Sequence, residues 1–110
     1  MEIIENKKYT LISYKEDIQY TKLPDMKEEL YEILENNKIY CIDFKNIDYI
    51  DSSGIGLIIS LYKDLKEMDS ELYLININNE INEIFSLVFL NQIIKYFDSE
   101  DSFIEYLESK

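Results

Sequence analysis

Histidine, arginine, tryptophan and alanine are absent from these 110 residues, and the chain holds only two glycines, one proline and one cysteine. Without histidine, imidazole acid–base catalysis and zinc sites with imidazole ligands are excluded. Without arginine, and with eleven lysines against 23 acids for a net charge of -12, the chain lacks the clustered cations that nucleic acid or an anionic membrane surface requires. A single cysteine, Cys41, cannot close an internal disulfide and fits a reducing compartment. No apolar run approaches the roughly 18–20 residues that cross a bilayer, so no membrane insertion is expected. Met1-Glu2-Ile3-Ile4-Glu5 has no basic segment ahead of an apolar one, unlike a signal peptide. The expectation is a cytoplasmic, non-catalytic domain with no cofactor and no metal.

What is present is a core. Apolar residues make up 46% of the chain, too many for disorder. The length suits one domain over residues 1–110. Tyr9 to Tyr14 reads as a strand, with a second short strand around Ile18. Pro24 marks the first turn of a helix whose apolar face is Met26, Leu30, Ile33 and Leu34, ending at Asn36-Asn37. Ile39 to Phe44 is apolar on nearly both faces, as a central parallel strand is. A helix from about Ser53 to Met68, a strand from Leu72 to Ile77 and a helix from Asn79 to Phe89 follow. That last helix should bury Ile81, Ile84, Phe85 and Val88. Ile93 to Phe97 suits a last strand, and Ser99 or Ser102 would cap a final helix carrying Phe103, Ile104 and Leu107. The alternation implies an α/β fold with a mixed, four- to five-stranded sheet and about four helices.

Both glycines fall in one hexapeptide, Asp51-Ser52-Ser53-Gly54-Ile55-Gly56, at a strand-to-helix junction. Glycine there permits close approaches that a Cβ would block, and Asp51 and Ser52 are suited to capping the helix. A capped helix start with two packing glycines is one reading. A phosphate-binding loop fails for want of the Gly-x-x-x-x-Gly-Lys-Ser/Thr spacing, and a nucleophilic serine has no histidine base. A phospho-acceptor serine is the third. Phosphate at a helix N-terminus adds about -1.5 to -2 charge beside the positive end of the dipole, which the fold tolerates and a docked partner does not.

Ile42-Asp43-Phe44 followed by Ile47-Asp48-Tyr49-Ile50-Asp51-Ser52-Ser53-Gly54-Ile55-Gly56 resembles the signature of STAS domains, in particular bacterial anti-sigma factor antagonists. The resemblance covers nearly the whole chain. It implies a STAS-like fold and a partner-switching protein. Such a protein binds, when unphosphorylated, an anti-sigma factor that is also a serine kinase, is released by phosphorylation, and is reset by a phosphatase. By motif position the resemblance assigns the acceptor to Ser52. Asp51 becomes the acid that shapes the loop, Ser53 the neighbouring helix-start residue, Gly54 and Gly56 the close-packing glycines, and Ile55 part of the same motif. Family members commonly carry Gly-Glu-Leu-Asp at the end of the second strand. Here the matching stretch is Glu16-Asp17-Ile18-Gln19, with Gln19 in place of the final acid. Other members of the family act as constitutive scaffolds, as in stressosomes, or as accessory subunits of lipid or anion transporters. A small nucleotide-binding or hydrolytic enzyme is a further alternative, disfavoured because no cation stands at the glycine-containing loop.

Other residues read as structural. Cys41 lies mid-strand as a packing residue. The ten tyrosines are spread along the chain, at core edges and on the surface. The acids of Lys27-Glu28-Glu29, Glu80, Glu83 and Glu100-Asp101 suit solvated helix faces. The second helix carries Ile55, Leu57, Ile58, Ile59, Leu61, Tyr62, Leu65 and Met68. That is wider than one stripe, and apolar surface left over there would suit a partner.

Overall fold

The strand alternation in the sequence is realised as a five-stranded sheet in a computed structural model that describes residues 1–110. The strands are β1 (Glu2–Glu5), β2 (Thr10–Ser13), β3 (Ile39–Asp43), β4 (Glu71–Ile75) and β5 (Lys95–Phe97). The helices are α1 (Leu23–Glu32), α2 (Ser52–Glu67), α3 (Asn79–Leu87) and α4 (Glu100–Glu108), with 3-10 turns at Tyr20–Lys22 and Leu90–Gln92. The spatial order follows the chain order. β1 pairs antiparallel with β2, and β2 through β5 run parallel.

The pleat sorts side chains into two layers, because successive residues of a strand face opposite ways. Ile12, Ile42 and Leu74 stand in register and point into a core shared with α1, α2 and α3. Leu11, Cys41 and Tyr73 point the other way, onto α4 through Phe103. Helices therefore cover both faces of the sheet, three against one. Cys41 has no exposed surface, and burial pushes its thiol pKa up, consistent with a packing role.

The wide apolar span of α2 is consumed by this arrangement. Leu61 and Leu65 are wholly buried, Ile55, Leu57 and Ile58 nearly so, and Ile59, Tyr62 and Met68 are partly covered. The expected surplus for a partner is not on this helix. It lies past the end of α3, which stops at Leu87. Val88 is 44% exposed, because the helix ends one residue earlier and the chain turns away, so the fourth residue of the expected stripe never faces the sheet. β1 is a strand the sequence reading lacks. Its two isoleucines are adjacent and flanked by acids, so no polar–apolar alternation marks it, and the strand lies at the sheet edge with only Ile3 partly covered.

The segment around Ile18 is a single bridge, not a strand. Ile18 pairs in parallel with Ile50. Its N–H donates to the Tyr49 carbonyl at 3.3 Å, and its carbonyl accepts from the Asp51 N–H at 3.2 Å. The bridge sets the floor beneath the first turn of α2. A Cβ on Gly54 would stand 2.6 Å from Ile18 Cγ2, 2.7 Å from Ile50 Cγ1 and 3.0 Å from the Ile18 carbonyl oxygen. Gly54 is therefore required for helix and bridge to touch. Gly56 is not, since nothing lies within 4 Å of the position of its Cβ. The expectation that both glycines serve close packing holds for the first only. Gly54→Ala should lower the unfolding free energy by about 1–3 kcal/mol through overpacking. Gly56→Ala should raise it by about 0.5–1 kcal/mol, since alanine orders a helix better. Urea unfolding of the two variants checks this, and changes of the same sign in both would contradict it.

Candidate functional site

All four β-strands that run parallel end at one pole of the molecule, and the loops after β2, β3 and β4 meet there. Three acidic and two amide side chains stitch them together. Asp17 Oδ1, in the loop after β2, accepts from the Asp48 and Tyr49 N–H groups at 2.9 and 3.1 Å. Asp51 reaches back the other way. Its Oδ2 accepts from the Tyr20 N–H at 2.9 Å while its Oδ1 accepts from the Gly54 N–H at 2.9 Å. Asp43 closes β3, is 4% exposed, and accepts from Asn76 Nδ2 and the Lys45 N–H, both at 3.0 Å. Asn78 caps α3 by accepting from the Ile81 N–H at 2.8 Å, and its Nδ2 donates to the Ile47 carbonyl at 3.3 Å. A loop that carries so many fixed backbone groups is pre-organised before anything docks on it.

Asp51 is the N-cap of α2, in extended conformation. The Gly54 N–H first, and the Tyr20 N–H second, hold its carboxyl below the usual carboxylate range, because both bonds favour the charged form. Ser52 and Ser53 are the first two residues of the helix. Ser52 is exposed, Ser53 half-buried and Ile55 buried. The Ser52 hydroxyl is thus offered to solvent at the positive end of a sixteen-residue helix. The candidate residues fall into two roles: Asp51, Gly54 and Ile55 build the junction, and Ser52, Ser53 and Gly56 reach its surface.

Two features of this pole were not singled out from the sequence. Tyr20 and Tyr49 are 71% and 51% exposed, and both are held at the backbone by the bonds to Asp51 and Asp17. Nothing in the sequence sets these two apart from the other eight tyrosines; their shared place shows only once the two loops meet. Beside them, a groove of about 310 Å³ runs between the start of α1 and the first turns of α2. Leu23, Pro24 and Leu57 give it apolar walls, Lys27 and Ser53 polar ones, and Gly56 leaves it open where a side chain would stand. Gln19, the residue in place of the family acid, is half-buried and precedes the 3-10 turn without a side-chain cap bond. The acid that does bind across the loops is Asp17, two residues earlier. No group of three or more histidine, cysteine, aspartate or glutamate side chains is placed to hold a metal ion, and no helix is long and apolar enough to cross a membrane.

Asp51→Ala removes a helix cap and the bond to Tyr20 together. It should lower the melting temperature near neutral pH by about 5 °C. Because the folded-state pKa of Asp51 is depressed, its contribution is complete above the unfolded-state value and is lost as pH falls through the folded one. The gap between wild type and variant should therefore close on acidification below the ordinary carboxylate range. Thermal melts across that range check this, and a gap that does not narrow would contradict it.

The comparisons with known proteins agree with this geometry. An anti-sigma-B factor antagonist of Staphylococcus aureus is 28% identical over 74 residues, covering 66% of this chain and 68% of the relative. The Thermotoga maritima protein tm1081 superposes with a TM-score of 0.89 at 17% identity, over 97% of this chain and 93% of that one. SpoIIAA, an anti-sigma factor antagonist solved in its unphosphorylated form, superposes with a TM-score of 0.69 at 13% identity, over 99% and 98% of the two chains. The murine anion transporter Slc26a9 contains the same fold, with a TM-score of 0.85 at 14% identity, over 97% of this chain and 19% of the transporter. At these identities the structural likenesses speak to the fold alone. The STAS domain family model matches residues 1–103, and the chain belongs to the STAS domain family.

Proposed function

We propose that this chain is an anti-sigma factor antagonist that works by partner switching in the cytoplasm. In its unphosphorylated form it binds an anti-sigma factor that carries serine kinase activity. Phosphorylation of Ser52 releases it, and a phosphatase restores the binding form. The chain contributes no catalysis of its own, and ATP belongs to the kinase.

The observation that carries this reading is the placement of Ser52, solvent-exposed at the first position of α2 on a junction fixed by Asp51 and Gly54. The S. aureus relative is named for the same activity. The switch works with little internal rearrangement. A phosphate on Ser52 falls next to Asp51, in a junction that Asp17 also binds, on a chain already at -12. The helix dipole offsets part of that repulsion within the domain. A partner seated over Ser52 meets both the bulk and the charge, at a contact where like charges cost several kcal/mol. Tyr20 and Tyr49 supply the exposed aromatic anchors that such contacts use, and the groove by Gly56 takes an apolar side chain of the partner.

Affinity capture from a lysate of the source organism, with wild type, Ser52→Ala and Ser52→Asp as baits, tests the proposal. Wild type and Ser52→Ala should recover a serine-kinase-type ATPase, and Ser52→Asp should lose it by tenfold or more. Equal recovery by all three would overturn the switch and leave a constitutive scaffold or transporter subunit, with Ser52 acting as a helix-start residue only. Tyr20→Ala with Tyr49→Ala should weaken capture of the same ATPase by about 10- to 100-fold, the range of aromatic anchors at interfaces. Both side chains are exposed, so circular dichroism should find the fold unchanged.

A further inference from the structure

A second groove lies at the end of the molecule opposite Ser52. Ser52 follows the C-terminal end of β3, and this groove opens where β4 and β5, both parallel to β3, begin. It measures about 300 Å³, the lower end of the sizes that ligand pockets take. Both layers of the fold wall it. Tyr62 and Lys66 come from the last turns of α2 on one face of the sheet, and Tyr106 comes from α4 on the other. Tyr73 of β4 and Lys95 of β5 are register partners between them, with side chains on the α4 face.

The groove is locally cationic in a chain of net charge -12. Lys66 and Lys95 make no ion pair, since the ion pairs of the chain use Lys8, Lys22, Lys38, Lys45 and Lys110. Their ammonium groups stand over rings that line the groove. Lys66 Nζ is 5.8 Å from the centre of the Tyr62 ring, and Lys95 Nζ is 4.8 Å from that of Tyr106. The one acid in the lining, Glu71, is already engaged. Its Oε1 accepts from the Tyr73 hydroxyl at 2.6 Å and from Lys110 Nζ at 3.0 Å. Lys110 Nζ is also 5.2 Å from the centre of the Tyr106 ring, so a third ammonium group borders the same space. The dipole of α2 favours a lysine in its last turn, which accounts for Lys66. It does not account for Lys95, which a different element brings to the same groove.

The chemistry of the walls selects the occupant. Tyrosine rings on two sides suit a flat ring, by edge or offset contact. Ammonium groups over those rings attract an acid group and the face of a second ring alike. The small volume limits the occupant to one ring with its acid. An acidic macromolecule would meet the carboxylates on the rest of the surface. A small anion avoids most of them, because salt at about 0.15 M screens charges more than about 8 Å away. The same background favours a singly charged acid over a doubly charged one.

We propose that this groove binds a single-ring aromatic carboxylate, with the acid group between Lys66 and Lys95 and the ring against Tyr62 and Tyr106. The Ser52 pole stays uncovered, and the proposal does not depend on the role given to Ser52.

Titration of the 15N-labelled full chain with sodium benzoate to about 10 mM, followed through amide chemical shifts, tests it. Benzoate should shift the amides of Ser70 to Tyr73 and Ile93 to Lys95 saturably, with a Kd of about 0.1–1 mM, ordinary for a ligand of so few atoms. The amides of Asp51 to Gly56 should not move. Benzamide keeps the ring without the charge, and cyclohexanecarboxylate keeps the charge without the aromatic face. Each should bind at least tenfold more weakly than benzoate. Lys66→Met with Lys95→Met should also weaken benzoate at least tenfold, with the fold intact by circular dichroism because both side chains are exposed. The comparison of analogues uses wild type alone and does not depend on the variant. No saturable shift with benzoate would overturn the proposal. So would shifts centred on the Ser52 pole, either analogue binding as tightly as benzoate, tighter binding of doubly charged phenyl phosphate, or a folded double variant that binds benzoate like wild type.

Discussion

Everything at the Ser52 pole depends on the contact between the Ile18–Ile50 bridge and the first turn of α2. The bridge is only one residue pair long, yet it brings the loop after β2 under the loop after β3. Gly54 is the residue that lets the helix settle on it, because any side chain there would overlap two isoleucines and a carbonyl. Once seated, the helix presents its N-terminal N–H groups to Asp51, which binds Gly54 and Tyr20 with its two oxygens. Asp17 binds the same loop from below. Ser52 is rigidly placed as a consequence, although its own side chain does none of the holding.

This division of labour explains why a charge switch suits the site. The groups that fix the junction are backbone amides and two carboxylates, none of them the modified hydroxyl. Charge added at Ser52, as proposed, would fall on none of the groups that make those bonds. The acidity of the chain works in the same direction. On the proposed mechanism, a chain of net charge -12 favours a basic partner surface, and a phosphate added beside Asp51 would oppose a close contact there.

Much of this was legible in the sequence. The β3 run Ile39 to Phe44 is apolar on both faces because helices cover both faces of the sheet, and the Asp51–Gly56 hexapeptide marks its helix start within one residue. The α/β class, a mixed sheet of four or five strands and about four helices follow from the same alternation, although the strand that makes the sheet mixed is β1, which that alternation does not mark. What was not legible depends on tertiary contacts. Ile18 reads as a strand residue because one bridging pair and a strand share the same apolar signal. Gly56 reads like Gly54 because spacing does not reveal which side of a helix faces the bridge. Val88 continues the α3 stripe on paper, but the helix ends before it. Tyr20, Tyr49 and the cross-loop role of Asp17 arise only when two loops distant in sequence are brought together.

The most direct measurement of the central claim is phosphosite mapping by mass spectrometry after incubation of the purified chain with ATP and a lysate of the source organism. Wild type should gain a single phosphate on Ser52, and Ser52→Ala should gain none. A wild type that stays unmodified, or that carries its phosphate at another residue, would contradict the account of this pole as a phosphorylation switch.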